Sequence, residues 1–184
     1  MWSWGWNQYG QLGYGPFGFG NYNKGQVGSS NDWDSVSANE DHTFAIKTDG
    51  TLWAWGQNVY GQLGDGTAID RSSPIRIGNL TNWSSISCST SSETIAIKTD
   101  GTLWAWGLNS NFQIGNGTSV TATAPVQVGA VTTYQSVCAC TAAFIATRTD
   151  GTLWACGLNS SGQLGDGLTT TRTAVGQVSA ATDW

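Results

Sequence analysis

The residues of this chain equipped for chemistry are few. His42 is the sole histidine, and Glu40 and Asp41 stand just before it. An imidazole beside two carboxylates could do general acid–base work, provided a partner and a cleft hold it against a substrate. Gly64-Asp65-Gly66 and Gly165-Asp166-Gly167 have the small-acidic-small pattern of an oxygen-rich calcium loop. Cys138-Ala139-Cys140 offers two thiols to a metal, with Cys88 and Cys156 elsewhere. A fourth group is aromatic. Phe17, Phe19 and Tyr22 lie in the glycine-rich stretch Tyr14–Lys24, and Tyr60 and Phe112 follow tryptophan-rich segments. Exposed aromatics of this kind carry much of the energy of protein interfaces.

What must position these residues is a repeat. Thr-Asp-Gly-Thr-Leu-Trp-Ala occurs at Thr48–Ala54, Thr99–Ala105 and Thr149–Ala155, at spacings of 51 and then 50 residues. A period of this length marks a repeat architecture. Each copy continues into Gly-x-Asn and then Gln-Leu-Gly or its variant: Gly56-Gln57-Asn58 with Gln62-Leu63-Gly64, Gly107-Leu108-Asn109 with Gln113-Ile114-Gly115, and Gly157-Leu158-Asn159 with Gln163-Leu164-Gly165. The amino terminus supplies another copy, Trp4-Gly5-Trp6-Asn7 with Gln11-Leu12-Gly13.

Within a unit the pattern is of short strands: Ser35–Ala38, Thr43–Lys47, Thr51–Trp55 and a fourth at Ile75–Ile77. Asp49-Gly50 is a hairpin signal, because glycine supplies the positive φ of a tight turn. In Leu52-Trp53-Ala54-Trp55 both faces of the strand are apolar, so both are covered. Small sheets with two covered faces, repeated about an axis, are propeller blades. The expected fold is all-β: four-stranded antiparallel blades in about 3.6 repeats of about 51 residues. No window has the 3.6-residue apolar period of a helix. The whole chain, 1–184, reads as one repeat domain, with units 1–51 (atypical), 52–102, 103–152 and 153–184 (partial).

Against the repeat, the first three chemistries weaken. His42 is replaced by Glu93 and Ala143 in the equivalent positions, so the chain is expected to have no catalytic residue and no enzyme activity. Asp65 is matched by Asn116 and Tyr14 with no clustered carboxylates, so turn chemistry explains it and no metal or cofactor is expected. The cysteines replace Ser, Ala or Trp of other copies and read as small buried thiols. The seven Lys and Arg are scattered and the net charge is −5, which argues against nucleic acid. No apolar run approaches the ~20 residues of a membrane-spanning helix, and no leader segment is visible. The chain leaves its cellular compartment open. Phe17, Phe19, Tyr22, Tyr60 and Phe112 remain as candidate binding residues.

The pattern Gly-Thr-Leu-Trp-Ala-Trp-Gly-x-Asn-x-x-Gly-Gln-Leu-Gly resembles the regulator of chromosome condensation repeat family. The resemblance implies a β-propeller, usually of seven blades, whose faces bind proteins: a small GTPase in nucleotide exchange, or a β-lactamase in inhibition. The plant photoreceptor branch carries Gly-Trp-Arg-His-Thr, which this chain lacks, so its 11 tryptophans read as blade core.

The units do not come out whole. Met1 aligns with Leu52 and Trp184 with Trp33, which leaves four outer half-blades and three inner ones. The open ends would expose apolar blade faces, so a ring completed by association is expected, with a homodimer as the simplest form. The functional expectation is a non-catalytic protein–protein interaction scaffold. The alternatives are a structural or adhesive virion or cell-surface protein, and a nucleotide-exchange or enzyme-inhibitor propeller.

Overall fold

The Thr-Asp-Gly-Thr peptide owes its repetition to a hydrogen-bond relay. Asp49 Oδ1 accepts the Thr51 amide at 3.0 Å and the Thr51 hydroxyl at 2.7 Å, and that hydroxyl accepts the Trp53 indole N–H at 2.9 Å. The same relay runs from Trp104 through Thr102 to Asp100, and from Trp154 through Thr152 to Asp150. Gly50 is required twice over. Its φ is +76°, and a Cβ there would fall 2.2 Å from the Thr81 carbonyl in the link to the next unit.

In the computed structural model, which describes residues 1–184 apart from the side chains of Asn21 and Tyr22, these hairpins belong to fourteen strands. They are β1 (Trp2–Asn7), β2 (Gly18–Gln26), β3 (Trp33–Ala38), β4 (His42–Lys47), β5 (Leu52–Gly56), β6 (Arg71–Arg76), β7 (Trp83–Cys88), β8 (Glu93–Lys98), β9 (Leu103–Gly107), β10 (Ala122–Gln127), β11 (Tyr134–Cys140), β12 (Ala143–Arg148), β13 (Leu153–Gly157) and β14 (Arg172–Gln177). Three antiparallel four-stranded sheets form, in orders β3-β4-β5-β6, β7-β8-β9-β10 and β11-β12-β13-β14, with β1-β2 as a two-stranded sheet. The described residues contain no helix. Neighbouring sheets meet through β3, β4, β7, β8 and β11, so the first strand of each blade is innermost and the fourth outermost. The β1-β2 pair is an outer half-blade, as the phase of the repeat predicts.

Two details depart from the sequence reading. The fourth strand of the first blade is Arg71–Arg76 rather than Ile75–Ile77, and its pairing slips between Ala54 and Gly56, where Gly56 adopts φ +107°. Such an irregularity is what glycine permits in an outer strand. The stretch Tyr14–Lys24 is not a free loop. Most of it is β2, paired to β1 from Trp2↔Gln26 to Asn7↔Gly18. It therefore occupies the outermost position of its sheet.

Blades stack through their tryptophans. Trp106 is fully buried among Phe44, Ile46, Leu52 and Leu63 of the preceding blade. Trp55 is likewise buried beside the half-blade, near Val27 and Tyr14. Both indoles donate backward at 2.8 Å, Trp55 to the Gln11 carbonyl and Trp106 to the Gln62 carbonyl. Thr43 and Thr94 hydroxyls join them on the same carbonyls at 2.9 Å. The Gly-Gln-Leu-Gly segment is thus the seat of the next blade: a Cβ at Gly13 or Gly64 would lie 2.6 Å from the incoming indole nitrogen.

Candidate functional site

The connections from third to fourth strand are long, and all emerge at the same end of their sheets. Each is built on a buried asparagine. Asn58 Oδ1 accepts the Leu63 amide at 2.9 Å, while its Nδ2 donates to Asp65 Oδ1, the Thr67 carbonyl and the Ile69 carbonyl. Asn109 and Asn159 repeat the arrangement onto Thr118, Val120 and Leu168. Gln62 adds a clamp, its Oε1 accepting the Tyr60 amide at 2.8 Å. These bonds satisfy the backbone of a segment that has no ladder partner, so the loops are held in one shape.

Asp65 is part of this scaffold. Burial works against its ionisation, but bonds from Thr67, Arg71 and Asn58 outweigh it and hold the carboxyl below its usual range. Arg71 closes on it at 2.6 Å, and Arg172 closes on Asp166 at 2.7 Å. Among the described residues no cluster of three metal-binding side chains exists.

The loop tips are apolar and in water. Phe17, Val59, Tyr60, Ile69, Val120 and Leu168 are all exposed, with Ile69 at 60%. Between the first two loops lies a groove of about 520 Å³ lined by Gln8, Tyr9, Phe17, Val59, Ala68, Ile69 and Asp70. Phe17 and Tyr60, two of the aromatics singled out from sequence, thus belong to one face. Phe19 does not: it stands on β2, 89% exposed, with its ring 6.3 Å from Trp6 on the outer rim. Phe112 is half-buried in the left-handed region at φ +61°, and its carbonyl receives the Cys156 thiol at 3.2 Å, so it serves a blade junction. The Tyr22 side chain lies outside the described residues. The aliphatic members of the face went unread in the sequence. Their signal was present, as apolar residues interrupting otherwise polar loops.

The cations of the two faces are held differently. At the loop end the cations are Arg71 and Arg172, both held by aspartates of their own loops. Glu40, Asp41 and Asp70 share that end, and burial together with the neighbouring Glu40 pushes the Asp41 carboxyl up. Lys47, Lys98 and Arg148 lie at the hairpin end over pairs of aromatic rings: Lys47 over Trp33 and Trp53, Lys98 over Trp83 and Trp104, Arg148 over Tyr134 and Trp154. Cation–π contacts account for these tryptophans structurally.

His42 is buried, its ring edge-on to Phe44, with the Asn39 amide 3.3 Å from Nε2. Burial pushes its pKa down to about 3, so it stays neutral and packs. Glu93 takes its place in the second blade, fully buried, with neither carboxyl oxygen in a well-formed hydrogen bond. Burial pushes that carboxyl up to about 7. The thiols correct the sequence expectation in part. Cys156 is buried, Cys88 and Cys140 are half-buried, and Cys138 is exposed.

Comparison with known proteins accords with this architecture. Two models of the regulator of chromosome condensation repeat match, one at residues 49–92 and 100–143 and the other at 33–62 and 83–113. The chain is 32% identical over 133 residues to the ultraviolet-B receptor UVR8 of Arabidopsis thaliana, covering 71% of this chain and 30% of that protein. It is 34% identical over 101 residues to the human regulator of chromosome condensation, covering 54% of this chain and 24% of that one. Among solved structures, human WBSCR16 superposes with a TM-score of 0.85 at 20% identity, over 97% of this chain and 48% of that chain. Prp20p of Saccharomyces cerevisiae, solved together with its binding properties to Gsp1p and histones, superposes at 0.79 and 20% identity, over 97% and 46%. The chain belongs to the regulator of chromosome condensation repeat family and has its β-propeller fold. It spans less than half the length of each of these relatives.

Proposed function

We propose that this chain is a non-catalytic protein-interaction scaffold whose loop face, centred on the Phe17–Ile69 groove, binds a protein partner. One observation carries the reading: rigid, asparagine-clamped loops hold apolar side chains in water at the same end of successive blades. Loops on a regular scaffold are where binding residues concentrate. The chemistry of the face points to a partner with apolar and basic residues, since its own cations are already paired and Asp70 lines the groove. Prp20p, a relative of the same fold, has binding properties to Gsp1p and histones. The buried, neutral His42 favours a non-catalytic role, because it faces no cleft. On this reading the partners are a protein on the loop face and a second copy of the chain.

The test compares proteins captured by the wild type and by a Tyr60→Ser/Ile69→Ser variant. Both side chains are exposed, so the variant folds as the wild type does. The reading expects the variant to lose a specific captured protein that an Asp49→Asn variant, altered at the hairpin end, still holds. Equal capture by all three, or loss with Asp49→Asn alone, overturns it.

A further inference from the structure

The junctions between neighbouring sheets repeat, but they are not equally filled. Between the first two complete blades, beside the Gly64 seat of Trp106, a cleft of about 360 Å³ is lined by Ile77, Leu80, Trp83, Trp104, Ala124 and Pro125. At the junction with the half-blade, the chain supplies a ring of its own at the corresponding place. Tyr14 stands at the position of Asp65 and packs on the cluster of Val27 and Trp55, which Trp33 and Trp53 also join. Val27, Trp33 and Trp53 are the counterparts of Ile77, Trp83 and Trp104. Gly25 makes room for the ring, since a Cβ there would lie 2.2 Å from it. Ile75, the counterpart of Gly25, packs on the core, and the cleft remains beside it. Asp65 does not fill it, because its carboxyl is turned to Arg71 and Asn58. At the junction of the last two blades Val131 and Val175 pack against the core, Val175 Cγ2 lying 3.0 Å from a Cβ built on Gly115. Their counterparts Leu80 and Pro125 line the cleft instead, and Leu80 is 45% exposed.

The charges around the cleft are positive. Arg76 lines it, exposed, and donates to the Asn79 carbonyl at 3.0 Å rather than to a carboxylate. Lys98 lies against Trp104, its Nζ 3.3 Å from the ring centre. Its counterpart Lys47 pairs with Asp32 at 3.1 Å, but in this blade Asn82 takes the place of Asp32. No described carboxylate forms an ion pair with Lys98 or Arg76, and Asp65, the one acid lining the cleft, is already closed on Arg71. We propose that this cleft binds an aromatic side chain of a partner protein, presented beside an acidic residue. The ring takes the place against Ile77, Trp83 and Trp104 that Tyr14 takes one junction earlier, and the carboxylate meets Arg76. Aromatic rings favour the edge and face of others, and Trp83 and Trp104 already meet edge to face at 6.0 Å. The occupant is a protein segment because the precedent is one: Tyr14 is a side chain on the glycine-flanked turn Gly13-Tyr14-Gly15. The cleft shares no residue with the loop-face groove, so it is a second surface, with the opposite preference in charge.

The test is an NMR titration of the nitrogen-labelled chain with the probe peptide Gly-Glu-Tyr-Glu-Gly, at concentrations up to about 5 mM, which detects even weak specific contacts. The indole N–H signals of Trp83 and Trp104, identified with Trp83→Phe and Trp104→Phe variants, are expected to shift saturably, while that of Trp154 in the last blade does not. Ala124→Phe fills the cleft from an exposed strand position and should abolish the shifts. Circular dichroism checks that it folds, and Leu80→Glu, at an exposed loop position, replaces it if it does not. Arg76→Gln should weaken the peptide roughly three-fold, the worth of one exposed ion pair. Gly-Glu-Ala-Glu-Gly should leave both signals in place, and Gly-Lys-Tyr-Lys-Gly should bind more weakly than the acidic peptide. No saturable shift with the acidic peptide, equal shifts with the alanine or lysine peptide, or shifts unchanged in Ala124→Phe would each overturn the proposal. The Tyr60→Ser/Ile69→Ser variant should bind the peptide as the wild type does; loss of binding there would put the ring on the loop face and overturn the cleft as its site.

Discussion

The junction between the first two complete blades and the junction between the last two solve one packing problem with different residues. In the former, Thr94 and Trp106 are cross-strand neighbours on β8 and β9, and both bond the Gln62 carbonyl. In the latter the equivalent neighbours are Phe144 and Cys156 on β12 and β13. A small residue beside a large one has become a large residue beside a small one. Phe144 and Cys156 are both fully buried, so the space is filled either way. The polar contacts are not kept: the Cys156 thiol turns to the Phe112 and Arg172 carbonyls, and Gln113 Nε2 is left buried without a partner. What the two junctions share is a buried pair of one large and one small side chain, in opposite order. The hydrogen-bond pattern follows only when the shapes allow it.

The largest test of this comparison is Trp106→Ala. It opens a cavity that nothing nearby can fill, and should cost about 3–5 kcal/mol by urea denaturation. A loss below about 1 kcal/mol would mean the junction is looser than its burial implies.

The next prediction concerns Glu93, which stands in this row of junctions where the first blade has His42. Burial raises its folded pKa to about 7, above its unfolded value of 4.5. The protonated form is the one the fold prefers. Stability is therefore full below pH 4.5 and falls as pH rises through about 7, by roughly 2–4 kcal/mol. Glu93→Gln should flatten that fall and leave the variant more stable than the wild type at pH 8. Thermal melts from pH 5 to 8 decide the matter, and a flat wild-type profile counts against it.

The pair-volume argument is sharpened by Cys156→Trp. Alone it overpacks against Phe144 and should cost about 1–3 kcal/mol. Combined with Phe144→Thr, which restores the pairing of the other junction, most of the loss should return. A double-mutant cycle reads this directly, and additive losses would show that the two positions do not share one space. The smallest effect expected is that of Thr51→Val. It breaks the relay from Trp53 to Asp49 and should shift the urea midpoint by the equivalent of about 1 kcal/mol. The same change removes the hydroxyl bond that, with the Thr51 amide, holds the Asp49 carboxyl below its usual range, so its acid titration, followed by NMR, should move part of the way up.

Much of this was legible in the residues. Asp49-Gly50 between apolar strands announces its hairpin, and the 51-residue period announces four outer and three inner half-blades, because turns and strand alternation depend on neighbours in sequence. The second and third strands emerged nearly at their expected bounds for that reason. The fourth did not, since its start at Arg71 is set by pairing with Gly56 beyond an irregularity in the ladder. Phe17 and Tyr60 were visible as candidates, but nothing local separates them from Phe19 and Phe112. Only the direction in which each segment leaves its sheet puts the first two on the loop face.

Gly-Gln-Leu-Gly makes the same point from the other side. Its repetition can be read off the chain, whereas its purpose cannot, because the indole that rests on Gly64 and bonds the Gln62 carbonyl comes from a tryptophan 44 residues further on. Local chemistry settles turns, strands and period. Which carbonyl receives which donor, which face is left bare, and whether Glu93 keeps its proton all depend on residues brought close by stacking, and stacking is a property of the assembled sheets.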